Sequence, residues 1–459
     1  MVLDAVLERF VKDSPVSVMA RMTMQRALSP EWIDQLFEEH REQQYTRELL
    51  FSTVVDLMAL VALGLRPSLH AAAQAMEELP VSVAALYEKV KGTEPDVVRA
   101  LVQGSAQRLT PVVQPMKEGQ APWAAGYRVR VVDGNHLAAS EKRLKPLRGF
   151  RGAALPGQSL VVYAPELGLV VDMLPAEDAH AQERALVGPV LERVQAGELW
   201  LADRNFSTRT ILFALHEKKA GFIIREHAAS PHPTEEGPLR KVGQTETGVV
   251  FEQAVRIEDE AGKQLSLRRI EVHLDEPTED GETLIRLLTN VPAERMSALE
   301  VAELYRRRWK IEGMFGELEA VLQSEVKSLG HPRAALLAFG VAVLAYNVLS
   351  VLQTAVETCH KLAGTGMEIS TYYIANEVKS TYGGMMIAVP QKVWEEYEVQ
   401  SSRELSDALL RLAEHVNPKT LRKHKRAPAK KKAKKGYVPG TVARRHVATA
   451  RVLKGEEIT

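Results

Sequence analysis

Between residues 127 and 225, short apolar runs alternate with amphipathic ones, and this alternation limits the fold more than any other feature. Tyr127–Asp133, Gln158–Tyr163, Leu169–Leu174, Leu199–Asp203 and Gly221–Arg225 are rich in Val, Leu, Ile and Tyr and read as strands. The periodicity becomes helical near Ala179–Val194 and again near Thr208–Lys219. Three strands, a helix, a strand, a helix and a strand describe an α/β layer structure. The alternation alone admits several such folds.

Two of these strands end in an aspartate. Val129 and Val131 share one face of the first strand, with Asp133 at its end and Gly134 and Asn135 following. Leu199 and Leu201 point with Asp203 in the same way. Taken singly, either Asp is an ordinary turn residue or helix cap. Further along, Tyr305, Arg308 and Glu312 are spaced three and four residues apart within a predicted helix, Ala298–Ser324. That spacing puts them on one arc. Leu304, Ile311, Phe315, Leu318 and Leu322 form an apolar stripe on its flank. A carboxylate binds a divalent cation, Arg clamps phosphate through a planar fork, and Tyr stacks or donates to phosphate. Alone, the segment reads equally well as an amphipathic surface helix. With the two aspartates it suits phosphoryl chemistry on a polyanion.

Together these motifs resemble the DDE transposases of bacterial insertion sequences, in particular insertion-sequence family four. The third catalytic region of that family runs Tyr, two residues, Arg, three residues, Glu, six residues, Lys. The chain matches at Tyr305, Arg308 and Glu312 and departs at Glu319, where Lys is expected. Asp133-Gly-Asn resembles the first region and Ala202-Asp203-Arg-Asn-Phe206 the second, while His446–Arg451 resembles the usual ending. The resemblance covers nearly the whole chain, in order. It implies a ribonuclease-H-like α/β catalytic core interrupted by an all-β insertion, with a helical N-terminal domain and a basic C-terminal tail. It also implies metal-dependent DNA strand cleavage and strand transfer in cut-and-paste transposition. Asp133, Asp203 and Glu312 would be the catalytic residues and would hold two Mg²⁺ (or Mn²⁺) ions. Arg308 would hold a phosphate near the scissile bond, and Tyr305 would contact the strand end. Expected partners are double-stranded DNA with terminal inverted repeats, target DNA and a second copy in a DNA-bound homodimer. Hairpin-forming relatives stack a flipped base on an aromatic of the β-insertion; Leu284–Thr289 holds none, which argues against that step.

The segments divide accordingly. Residues 1–120 show helical periodicity, with Ser29 placed as an N-cap before Pro30 and another helix beginning near Pro95. A DNA-end-binding role for this region rests on the resemblance, and an all-helical packing module is the plain alternative. The core would occupy 121–228 and 293–365. The insertion, 229–292, holds the strands Val249–Ile257, Leu265–Leu274 and Leu284–Leu288. A helical region at 366–416 precedes the tail, 417–459.

Net charge is zero overall but unevenly spread. Of 59 Lys and Arg residues, 14 fall between Asn417 and Lys454, where no acidic residue occurs; the chain before Asn417 holds 45 basic and 57 acidic residues. Lys430, Lys431, Lys432, Lys434 and Lys435 head the list of tail residues expected to meet DNA, through an electrostatic and salt-dependent contact. The one cysteine, Cys359, excludes an internal disulfide and fits a reducing cytoplasm, and the resemblance implies a bacterial protein associated with the nucleoid. The N-terminus lacks the apolar core of a signal peptide. The apolar run Ala334–Tyr346 is short for a bilayer and reads as a buried core helix, so no membrane is expected. The rival functional class is a non-mobile DNA-binding regulator or a host-recruited metal nuclease derived from a transposase. Retention of all three acidic residues weighs against the regulator. Joining of 3′-OH ends to target DNA separates a transposase from a nuclease.

Overall fold

In the computed structural model, the described residues are 5–76, 78–150, 152–278, 281–324, 326–398, 401–424 and 446–456. The chain opens with helices α1 (Ala5–Asp13), α2 (Pro15–Ala27), α3 (Pro30–His40), α4 (Phe51–Ala62), α5 (Leu69–Gln74), α6 (Val83–Gly92) and α7 (Pro95–Met116). Pro stands in the first turn of α2, α3 and α7, where its missing N–H costs nothing. Ser29 precedes α3 as expected, but its hydroxyl bonds Glu31 at 2.8 Å and does not cap the helix.

Strands β1 (Arg128–His136), β2 (Ala153–Leu155), β3 (Gln158–Ala164) and β4 (Leu169–Ala176) follow. The expected helix over 179–194 is instead two single turns, α8 (Glu183–Leu186) and α9 (Gly188–Leu191). Gly188 and Pro189 fall at the junction, and Pro cannot supply the N–H that would continue the first turn. Next come β5 (Glu198–Ala202), α10 (Arg209–Glu217), β6 (Gly221–Arg225), β7 (Thr234–Glu235), β8 (Arg240–Thr245), β9 (Gly248–Glu258), β10 (Gln264–Leu274) and β11 (Leu284–Thr289). The remaining elements are α11 (Ala298–Arg306), α12 (Lys310–Val321), α13 (Pro332–Cys359), α14 (Thr371–Ala388), α15 (Gln391–Glu398), α16 (Ser402–Ala413), β12 (His446–Ala448) and α17 (Thr449–Lys454).

Ten strands form one mixed sheet in the order β4-β3-β1-β5-β6-β11-β10-β9-β7, with β8 on β9. β3 runs antiparallel to both β1 and β4, whereas β1, β5 and β6 are mutually parallel. β11 joins β6 antiparallel, so the later strands prolong this sheet. Alternate residues serve opposite faces. Val129, Val131, Leu199, Leu201 and Ile223 face the large helical core, while Val132, Leu160, Trp200, Phe222 and Ile224 face a second cluster with α10.

The long apolar helix α13 is the spine of the helical layer. It is long and apolar enough to cross a membrane, but its most apolar window is wholly buried within the protein, as a core helix requires. Gly340 lets α7 approach closely: a Cβ there would lie 2.5 Å from Val98 Cγ1. Asn347, which interrupts the apolar run, is fully buried. Its Oδ1 accepts from Val170 N at 2.8 Å and its Nδ2 donates to Val170 O at 2.9 Å. The edge strand β4 is thus sealed by an amide that mimics a neighbouring strand. Arg99 of α7 holds Asp172 of β4 through two bonds of 3.0 and 2.8 Å.

Residues 446–454 are folded onto the body. β12 pairs in parallel with β2, and Arg451 grips Asp178 through Nε and Nη2. The tail lysines Lys430, Lys431, Lys432, Lys434 and Lys435 lie outside the described residues.

Candidate active site

The sheet brings the two aspartates together. Val131 of β1 pairs with Leu201 of β5 in parallel register, and Asp133 and Asp203 each lie two residues beyond that pair. Adjacent strands lie about 5 Å apart, so the two backbones present their carboxylates side by side. β1 continues past Asp133 to His136, because β3 still pairs with it there. Asp203 follows β5 and caps a 3₁₀ turn, its Oδ1 accepting from Asn205 N at 2.8 Å. It thus fills the capping role that its position suggested while also facing the site.

The expected single helix around Tyr305, Arg308 and Glu312 is broken. Arg307–Trp309 forms a 3₁₀ turn between α11 and α12, so the three side chains come from three successive pieces instead of one arc. Such a break is a frequent mark of a functional site in a helix. Here it sends three consecutive arginines in different directions. Arg306 pairs with Glu246 and Glu303, and Arg307 lies over the Trp123 ring at 5.8 Å. Arg308 turns inward and is only 6% exposed. The apolar stripe is nonetheless in place, with Leu304, Ile311, Leu318 and Leu322 buried and Phe315 half-buried. Glu319 is exposed on α12.

Arg308 is the centre of the arrangement. Its Nη1 donates to Asp133 Oδ2 at 2.8 Å and its Nη2 to Glu312 Oε1 at 3.1 Å. Its Nε is buried with no hydrogen-bond partner. The buried Tyr305 ring lies 5.7 Å from the guanidinium. Burial pushes the Tyr305 phenol up to about 12, so it stays protonated and is not a base. Burial also pushes the Asp133 carboxyl up to about 6; Arg308 opposes this, and Asp203 and Glu183 add to it. Burial works against the Arg308 charge, but Tyr305, Asp133, Glu312 and Asp203 hold it above its ordinary value. Among the described residues, no three His, Cys, Asp or Glu side chains stand ready to hold a metal ion, since a guanidinium lies between Asp133 and Glu312.

Glu183 is the site residue that the sequence did not single out. Its Oε2 accepts from Asn205 Nδ2 at 3.1 Å, and its carboxylate covers Gly134. The available signal was weak: one acidic residue in a segment read as an ordinary helix. Arg204 is also engaged, bonding Glu282 at 3.1 Å while Arg225 holds the other oxygen of the same carboxylate. This ties the turn after Asp203 to the segment leading into β11. A cavity of about 850 Å³ opens beside the site, lined by Arg225, Glu282, Tyr305, Arg308, Trp309 and Glu312. Trp309, 56% exposed, is its aromatic wall.

No curated protein matches the chain. Residues 124–348 match the family model described as the transposase DDE domain, and this stretch, which carries Asp133, Asp203, Tyr305, Arg308 and Glu312, supports a DDE transposase.

Proposed function

We propose that the chain cleaves DNA strands at the ends of an insertion sequence and transfers them to target DNA, by cut-and-paste transposition. The observation that carries this reading is Arg308 joining Asp133 and Glu312, with Asp203 just past the end of the neighbouring parallel strand. Two carboxylates, one from a strand and one from a helix, hydrogen-bond one buried cation, and a third just past the neighbouring strand acts on it through charge, across 180 residues of sequence. The strand order, with three antiparallel members and two parallel ones, favours the ribonuclease-H-like reading of the core.

The donor set fits hard divalent cations. Asp133, Asp203 and Glu312 offer only oxygen ligands, the kind Mg²⁺ and Mn²⁺ prefer. Glu312, with 55% of its side chain exposed, has room to turn towards the aspartates. Two such ions, when bound, neutralise the phosphate and make the attacking oxygen a better nucleophile. Arg308, which lines the cavity beside the site, holds the scissile phosphate through a charge-assisted hydrogen bond. Tyr305 donates to the strand end beside it. Trp309 and the cavity at its side give the DNA end an aromatic surface. Partners on this reading are double-stranded terminal repeats, target DNA and a second copy of the chain, on the bacterial nucleoid.

Asp203→Asn tests the reading. It removes one ligand and leaves the basic residues intact. Cleavage of terminal-repeat DNA in Mg²⁺ should be abolished while binding of the same DNA stays within about twofold. Equal loss of both would make Asp203 a structural residue and overturn the assignment.

A further inference from the structure

We propose that Glu183 is a positioning residue of the site, joining the strand end that carries Asp133 to the turn that carries Asp203. The proposal rests on the reading of Asp133, Asp203 and Glu312 as the metal-binding carboxylates. Each aspartate is oriented by a backbone amide close behind it: Gly134 N donates to Asp133 Oδ1 at 3.0 Å, and Asn205 N donates to Asp203 Oδ1 at 2.8 Å. Glu183 touches both of those residues. Its Oε2 accepts from Asn205 Nδ2 at 3.1 Å, and its Oε1 lies where a Cβ on Gly134 would be, 2.0 Å from that ideal position.

Glu183 is itself held in place. The loop before α8 is fixed to β3, because Gln158 Nε2 donates to Asp178 O at 3.0 Å and Ala181 O at 2.6 Å. The same loop is gripped from the C-terminal segment by Arg451, at 2.9 Å from Asp178 Oδ2. A half-buried carboxylate on a loop anchored from two sides can fix the spacing between its two neighbours. Gly134 is required for a local reason: any side chain there would take the space of the Glu183 carboxylate.

This yields a test that does not depend on catalysis. Mn²⁺ is titrated calorimetrically into the metal-free, full-length protein and its variants. Glu183→Ala should weaken Mn²⁺ binding by about tenfold, the usual effect of removing a group that orients metal ligands. Gly134→Ala should do the same, because the atoms nearest the added Cβ are Glu183 Oε1, Cδ and Cγ, a flexible side chain and not backbone. The double variant should be no weaker than either single one, since both remove the same contact. Glu183→Gln, which can still accept from Asn205, should recover most of the loss. A residue that merely stabilised the fold would lower the unfolding free energy of Glu183→Ala and leave the Mn²⁺ affinity of the folded protein unchanged. Wild-type affinity in both Glu183→Ala and Gly134→Ala, or full additivity in the double variant, would overturn the proposal. Asp203→Asn is the control. If it loses Mn²⁺ while Glu183→Ala does not, only the role of Glu183 falls. If Asp203→Asn binds Mn²⁺ as tightly as wild type, the reading of the site falls, and the role of Glu183 with it.

Discussion

At Asp133 a carboxylate sits in a protein that makes ionisation costly. Its side chain is 15% exposed, and burial outweighs the help of Arg308, bringing its titration up to about 6 from an ordinary 3.8. A raised value means that the folded protein keeps a proton which the unfolded chain releases. Stability therefore falls as pH rises from about 4 to about 6, and the full penalty, about 3 kcal/mol, persists above that. Asp133→Asn cannot ionise and escapes it. For the metal-free protein, the stability of Asp133→Asn relative to wild type should grow between about pH 4 and pH 7, by up to about 3 kcal/mol. Denaturant unfolding at several pH values measures this directly. A difference that does not change with pH would mean that Asp133 is better solvated than its burial indicates. Bound divalent ions should reverse the trend, because ligand carboxylates must be deprotonated and proton and metal compete.

At the scale of elements, the local pattern carried the strands well and the joints poorly. β6 follows its apolar run residue for residue, and β3, β4, β9, β10 and β11 lie within two residues of theirs, because alternation and turn residues mark such strands directly. The 3₁₀ turn at Arg307–Trp309 left no trace in the periodicity. Its cause is tertiary: Arg308 turns in to two carboxylates, and one of them is 175 residues away. Glu183 was illegible for the same reason, since its partners Gly134 and Asn205 lie in other elements. Asn347 was visible only as a polar break in an apolar run, yet it supplies both hydrogen bonds that Val170 of the edge strand needs. Asn347→Leu keeps the branching and the number of heavy atoms and removes both bonds. A buried N–H and a buried C=O would then be unpaired, at about 1–3 kcal/mol each. We expect a loss of about 2–5 kcal/mol in unfolding free energy, whereas the volume-conserving swap Leu349→Met nearby should cost under about 1.5 kcal/mol. Equal effects at the two positions would show that the amide contributes no more than its bulk.

Over the whole molecule, charge and architecture meet in the C-terminal segment. Before Asn417 the chain is acidic by 12 charges; after it come 14 basic residues and, up to Lys454, no acidic one. An acidic body repels DNA, so net attraction depends on where the basic residues are held. The segment is held on both sides of its lysines. Lys423 N donates to Glu368 O at 2.8 Å, and further on β12 pairs with β2 while Arg451 grips Asp178. The second anchor is in the same loop that leads to Glu183, so the basic stretch is tethered to the catalytic part and not only to the C-terminal helices. Truncation after Asn417 would therefore remove buried Leu421 and Val447 along with the charge, confounding any binding measurement. Replacing Lys430, Lys431, Lys432, Lys434 and Lys435 with Ala removes five charges and leaves Leu421 and Val447 in place. Each phosphate contact contributes about 0.9 to the slope of log affinity against log salt, so the slope should fall by about 4 if nearly all five engage DNA. Arg451→Ala should leave that slope within about 1 unit, since one charge is lost, but it should lower affinity by loosening the tether. Anisotropy titrations of terminal-repeat DNA at several salt concentrations separate these effects. An unchanged slope in the five-fold Ala variant would mean that the acidic body is offset elsewhere, and that these lysines do not contact the DNA backbone.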